Sequence, residues 1–126
     1  MFTVSTYIDK TEEKGFGVFA KEFIAKDTIV WEFIEGLDIK IHKDTVEKLN
    51  TIQKNFIDVY FWAEGDYFYS SCDHSVFQNH SSLPNSITSR SLYMIASEDI
   101  QPGEEITVNY SDFDDSYSEY AHTFIQ

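Results

Sequence analysis

The sequence is poor in the residues that staple, break or positively charge a chain. It has one cysteine, Cys72, so no internal disulfide and no cysteine-based zinc cluster can form. The default expectation for that lone thiol is a small, partly buried residue. Two prolines and five glycines leave no room for a collagenous, linker-like or low-complexity segment. No apolar run approaches the roughly 20 residues that a membrane span requires. The opening MFTVSTYIDK lacks the basic and long apolar regions of a signal peptide, which predicts a soluble, intracellular protein. Nine basic side chains face 22 acidic ones, a formal charge of −13. That balance argues against direct nucleic-acid binding, which needs Lys and Arg clusters. It is compatible with a basic protein partner, although acidity also serves solubility alone.

What the chain does have is burial material. Hydrophobic residues make up 42% of the 126 positions and aromatics 17%, enough for one domain around one core. Residues 2–8, FTVSTYI, alternate and carry β-branched and aromatic side chains, which predicts a strand. Lys14-Gly15-Phe16-Gly17 and Ala25-Lys26-Asp27-Thr28 predict turns, and Ile29–Ile34 another strand-like run. Asp44 and Glu47 have capping-box spacing. Val46, Leu49, Ile52, Phe56 and Val59 or Tyr60 follow at helical intervals, so one helix is expected from about Thr45 to Asp58. Short aromatic pieces at 60–62 and 67–69 flank a turn at Glu64-Gly65-Asp66. Ser91–Ala96 and Ile106–Tyr110 read as strands on either side of a Pro102-Gly103 turn with type II character. The expectation is a mainly β domain with one inserted helix.

Several chemical readings can be weighed on the residues. A lone Gly15-Phe16-Gly17 lacks the third glycine of a dinucleotide fingerprint. It fits either a hairpin turn or a backbone that approaches a ligand closely. Cys72, His74 and His80 are legitimate zinc ligands, but no second close pair completes a tetrahedral set. The acidic run 112–116 lacks the glycine and glutamate of a calcium loop. No glycine-flanked serine elbow occurs. Glu104 and Glu105 follow a turn and are most simply solvent-facing.

Three segments carry more when read in order: GFGVFA at 15–20, FQNHSSLPN at 77–85 and IASEDIQPGEEITVNYSD at 95–112. Their order and wording resemble the SET domain, a protein-lysine methyltransferase module, over about residues 8–113. The spacing from Tyr60 to Asn79 is similar to that of small stand-alone SET proteins. The resemblance implies a β-clip fold of short curved sheets with a knot-like crossing, spanning 1–126 as one domain. The variable insert would occupy about 37–58, and a short acidic, aromatic tail 111–126.

The resemblance also implies S-adenosylmethionine as cofactor, with S-adenosylhomocysteine as product, and lysine methylation of a basic, histone-like or other protein. Tyr110 would be the catalytic tyrosine. Gly15, Phe16, Gly17, Tyr60, Asn79 and His80 would contact the cofactor, and Phe113 would cover the adenine. Val108, Phe33 and Tyr69 are the candidates for the lysine channel, Val108 at the place that tunes methyl number.

The departures are specific. Ser82 stands where many members carry a zinc-binding cysteine, so no zinc and no metal-binding C-terminal extension are expected. Phe113, Tyr117 and Tyr120 are candidates to close the pockets instead. Val76 replaces a usual arginine, and Glu32-Phe33-Ile34-Glu35-Gly36 departs from the family's E-Y-x-G. These departures leave open a catalytically silent, peptide-binding SET-like module. Relatives of this size make a homodimer an expectation as well.

Overall fold

The computed structural model describes residues 1–89 and 93–116. Short antiparallel sheets dominate it. β1 (Thr6–Lys10) and β2 (Phe16–Ala20) form a hairpin. Gly15 closes its turn at φ 71, a left-handed conformation that glycine adopts without steric cost. The expected strand at 2–8 is shifted: Phe2 makes only an isolated bridge with Trp31, and regular pairing starts at Thr6.

A second sheet has the order β3-β8-β7, with β3 at Ile29–Glu32, β7 at Ser86–Ser89 and β8 at Tyr93–Ala96. β7 is a strand that its Ser- and Thr-rich sequence conceals. The expected strand 91–96 is seen from Tyr93 onward; Ser91 and Leu92 lie outside the described residues. A third sheet, β4-β6-β5, joins Ile39–His42, Tyr67–Ser70 and Trp62–Glu64, with Gly65 at φ 59 in the β5–β6 turn. The core lies between β2, β3, β8 and the chain from Ile100 to Val108. Val18, Val30, Ile100 and Ile106 are fully buried there. Each such side chain contributes about 1.5–3 kcal/mol of burial.

The single expected helix is two. α1 is Lys43–Glu47 and α2 is Thr51–Tyr60. The break comes at Asn50, whose side chain accepts from Gln53 N–H while the Gln53 side chain accepts from Asn50 N–H. This reciprocal capping box restarts the helix and overrides the Asp44–Glu47 spacing. The expected apolar stripe holds at Val46, which is buried, but not in α2. Ile57 is the buried residue of α2, whereas Ile52, Phe56, Val59 and Tyr60 are exposed.

The 3₁₀ turn His74–Phe77 delivers the chain to the polar segment 77–86. Asp73 fixes its start, accepting from Phe2 N–H at 2.9 Å, Ser75 N–H at 3.0 Å and the Ser75 hydroxyl at 2.5 Å. Burial pushes the Asp73 carboxyl up, but the Ser75 hydroxyl and the two N–H donors outweigh it and hold it below its ordinary 3.8. The folded state therefore favours the ionised form. The resulting stability is present above the unfolded-state value and is lost as pH falls through the lower folded one. Urea unfolding should show stability declining below about pH 4, with a shallower decline in Asp73→Asn. An unchanged acid limb in that variant would assign the loss to other carboxylates.

Candidate active site

The site is built where two distant stretches cross. Residues 104–108 run between β2 and the segment 79–86. On one edge, Ala20 N–H donates to Glu104 carbonyl and Ile106 N–H to Val18 carbonyl. On the other, Val108 N–H donates to Asn79 carbonyl and Ser81 N–H to Val108 carbonyl. Asn85 completes the enclosure with its side chain. Its Nδ2 donates to Glu105 carbonyl at 2.8 Å, and its Oδ1 accepts from Thr107 N–H at 2.9 Å. A side-chain amide thus substitutes for a strand neighbour. This corrects the expected strand at Ile106–Tyr110. The stretch makes isolated bridges, His80 with Val108 and Phe19 with Glu105, then enters a 3₁₀ turn, Tyr110–Asp112.

A cavity of about 350 Å³ opens beside the crossing, a size suited to a small-molecule ligand. Phe16, Tyr60, Asn79, Val108, Tyr110 and Phe113 all line it. The family resemblance implied a place at the site for each, and the fold brings them to one cavity. Tyr110 donates its hydroxyl hydrogen to Gln78 carbonyl at 2.6 Å. Its N–H donates to His80 Nδ1 at 3.1 Å, so that ring nitrogen carries no proton.

The other candidates stand behind the wall. Gly15 sits in the hairpin turn. His80 is not among the lining residues; its ring supports Tyr110, and its carbonyl accepts from Lys14 Nζ at 2.6 Å. Phe33 and Tyr69 meet edge to face at 5.7 Å, and Tyr69 stacks on Trp62, which does line the cavity. Gly17 is extended rather than left-handed and is needed for space. A Cβ there would lie 2.6 Å from Glu105 Oε2, 2.9 Å from Thr11 Cγ2 and 3.0 Å from Asn79 Nδ2. Tyr117 and Tyr120 lie outside the described residues.

Four contributors escaped the sequence reading. Trp31 forms part of the wall, its Nε1 satisfied by Ser71 and Ser75 hydroxyls at 3.0 and 3.1 Å. Trp62 lies edge-on to Trp31 and Phe113, and its buried Nε1 has no hydrogen-bond partner among the described residues. Lys14 is the one cation among the described lining residues, with Glu64 and Asp114 as acids. Its position beside the glycine pair was the available signal. Glu105, expected to face solvent, is partly buried and accepts from Asn79 Nδ2 at 2.8 Å. Cys72 is exposed rather than partly buried.

The comparisons with known proteins agree with this architecture. The sequence model of the SET domain matches residues 15–111. The chain belongs to the SET-domain family. This SET domain is 34% identical over 125 residues to the variant-silencing SET domain-containing protein of Plasmodium falciparum, covering 87% of the chain but 5% of that relative. It superposes with a TM-score of 0.62 on a Plasmodium falciparum protein provisionally named a histone methyltransferase, at 24% identity, covering 90% and 99% of the two chains. It superposes with a TM-score of 0.69 on a chain of a humanized mutant Polycomb Repressive Complex 2 of Chaetomium thermophilum, captured with an inhibitor. That match is 20% identical and covers 90% of this chain and 16% of the other. At such identities the two structures establish the fold, a SET domain of short antiparallel sheets. No described helix is long and apolar enough to cross a membrane.

Proposed function

We propose that this SET domain is a protein-lysine N-methyltransferase that uses S-adenosylmethionine and acts on a basic protein segment. One observation carries the reading: the crossing gathers Phe16, Asn79, Val108 and Tyr110 around a single cavity of about 350 Å³. Their chemistry fits the cofactor. The Phe16 ring offers a flat apolar face and Asn79 offers a polar amide. Among the described residues no group of three or more His, Cys, Asp and Glu side chains is arranged to hold a metal ion.

When bound, S-adenosylmethionine supplies an electrophilic methyl on a sulfonium sulfur, and transfer to nitrogen leaves a neutral thioether. The chain's task is to present a neutral amine in line with it. A free lysine has a pKa of about 10.4 and is mostly protonated at neutral pH. Desolvation against Trp31 and Trp62, together with the positive sulfonium of a bound cofactor, would disfavour the ammonium and promote loss of its proton to water. The same rings attract the methylated product cation through their faces. The Tyr110 hydroxyl, fixed by its hydrogen bond to Gln78 carbonyl, would present its oxygen to the positively polarised reacting centre. Alignment of amine and methyl can supply roughly 7–11 kcal/mol in favourable systems. Val108, packed beside Tyr110, would bear on how many methyl groups fit.

The formal charge of −13 favours basic partners, and Glu64 and Asp114 put acid on the cavity itself. Calorimetry with S-adenosylmethionine, followed by mass spectrometry of a panel of basic proteins incubated with it, tests the reading. Cofactor binding with a gain of 14 Da units on lysine is expected. Absence of cofactor binding overturns the reading, and peptide binding indifferent to cofactor would replace it with a silent recognition module.

A further inference from the structure

The Asn79 amide is held from behind. Its Nδ2 donates to Phe16 carbonyl at 3.1 Å and to Glu105 Oε2 at 2.8 Å. Both partners are acceptors without a hydrogen to give, so the nitrogen end must face them. Both amide hydrogens are thereby used. Asn79 is 6% exposed, and it lines the cavity. Its Oδ1 is left as the polar atom available to a ligand, and an amide oxygen can only accept. Glu105 does not line the cavity itself. It is wedged between Gly17 and Asn79, its own backbone fixed by Asn85 and by the bridge to Phe19.

We infer that Glu105 is a positioning residue: its carboxylate locks the Asn79 amide so that Asn79 receives a cationic amine donor of the ligand. The inference rests on the methyltransferase reading, in which that donor is the amino-acid ammonium of the cofactor. Two effects act together. The lock removes the flipped amide, which would turn two hydrogens toward an ammonium. The negative charge one hydrogen bond away polarises the amide toward greater density on its oxygen.

The test measures binding of S-adenosylhomocysteine and of 5′-methylthioadenosine, which lacks the amino-acid portion, to the full chain. Glu105→Ala should weaken S-adenosylhomocysteine by about tenfold or more and leave methylthioadenosine within about twofold. Glu105→Gln retains an acceptor toward Asn79 but no charge, and should weaken only the former, by about threefold. The KM for the methyl donor should rise in parallel, with kcat little changed. Unchanged S-adenosylhomocysteine affinity in Glu105→Ala, or equal weakening of both ligands in either variant, overturns the inference. If Glu105→Ala does not fold, Glu105→Gln decides alone by the same selective loss. Wild-type protein that binds neither ligand overturns the methyltransferase reading itself, and the inference with it.

Discussion

Tyr110→Phe should bind S-adenosylmethionine normally and lose about 100-fold or more in single-turnover methyl transfer, the scale of losing one preorganised polar group at a reacting centre. The geometry explains the size. The hydroxyl is pinned by Gln78 carbonyl at 2.6 Å, so its lone pairs need no reorganisation as charge redistributes during transfer. Phenylalanine keeps the ring contacts with Phe113 and His80 and therefore the shape of the wall. It also leaves the Gln78 carbonyl without this donor, a stability cost of about 1–3 kcal/mol. A chemical denaturation curve separates that cost from the catalytic loss. Transfer at the wild-type rate would remove Tyr110 from the mechanism.

Gly17→Ala should be the most damaging small substitution for ligand affinity. Its methyl would arrive 2.6 Å from Glu105 Oε2 and 3.0 Å from Asn79 Nδ2. The flexible carboxylate can swing away, but that motion breaks its bond to Asn79. Thr11 Cγ2, at 2.9 Å, blocks the third side. Overpacking of this kind costs about 1–3 kcal/mol of stability. Because the yielding atoms hold the cavity's amide, cofactor affinity should fall by about tenfold or more. Gly15→Ala provides the contrast. A Cβ there meets nothing within 4 Å, but φ is 71. Its penalty is about 1 kcal/mol of backbone strain, with a far smaller effect on affinity. Equal affinity losses in the two variants, by titration calorimetry, would contradict this division of roles.

The two glycines also show what the sequence could convey. GFG, NHSSLPN and EEITVNY were legible because their order resembles the SET domain, and the structure shows the backbone demand each answers: a left-handed turn, a side chain excluded, an amide standing in for a strand. Phe16, Asn79, Val108 and Tyr110 could be placed because the order of their segments resembles that of the SET domain. Glu105 was not legible, since two glutamates after a turn look alike until one is seen beneath Asn79. The helix break was hidden for a related reason. Asp44–Glu47 and Asn50–Gln53 both have capping spacing, but only the second forms the reciprocal box, and His42 rather than Asp44 caps α1. β7 was hidden because its polar residues owe their strand conformation to β8.

The stitching at the end of the described chain has a consequence for biosynthesis. Ala63 N–H donates to Asp114, Asp115 N–H donates to Ala63 carbonyl, and Gly65 N–H donates to Asp115. Together with the crossing, these bonds make the site from pieces roughly 50 residues apart along the chain. A ribosome that has released β1 to β8 has delivered the sheets but neither Tyr110 nor the acids that seal the wall beside it. The aromatic residues of the wall stay without these partners until the segment 104–115 has emerged and packed. Such non-local closure is slow and exposes apolar surface while it proceeds. The site is therefore among the last parts of this domain to form.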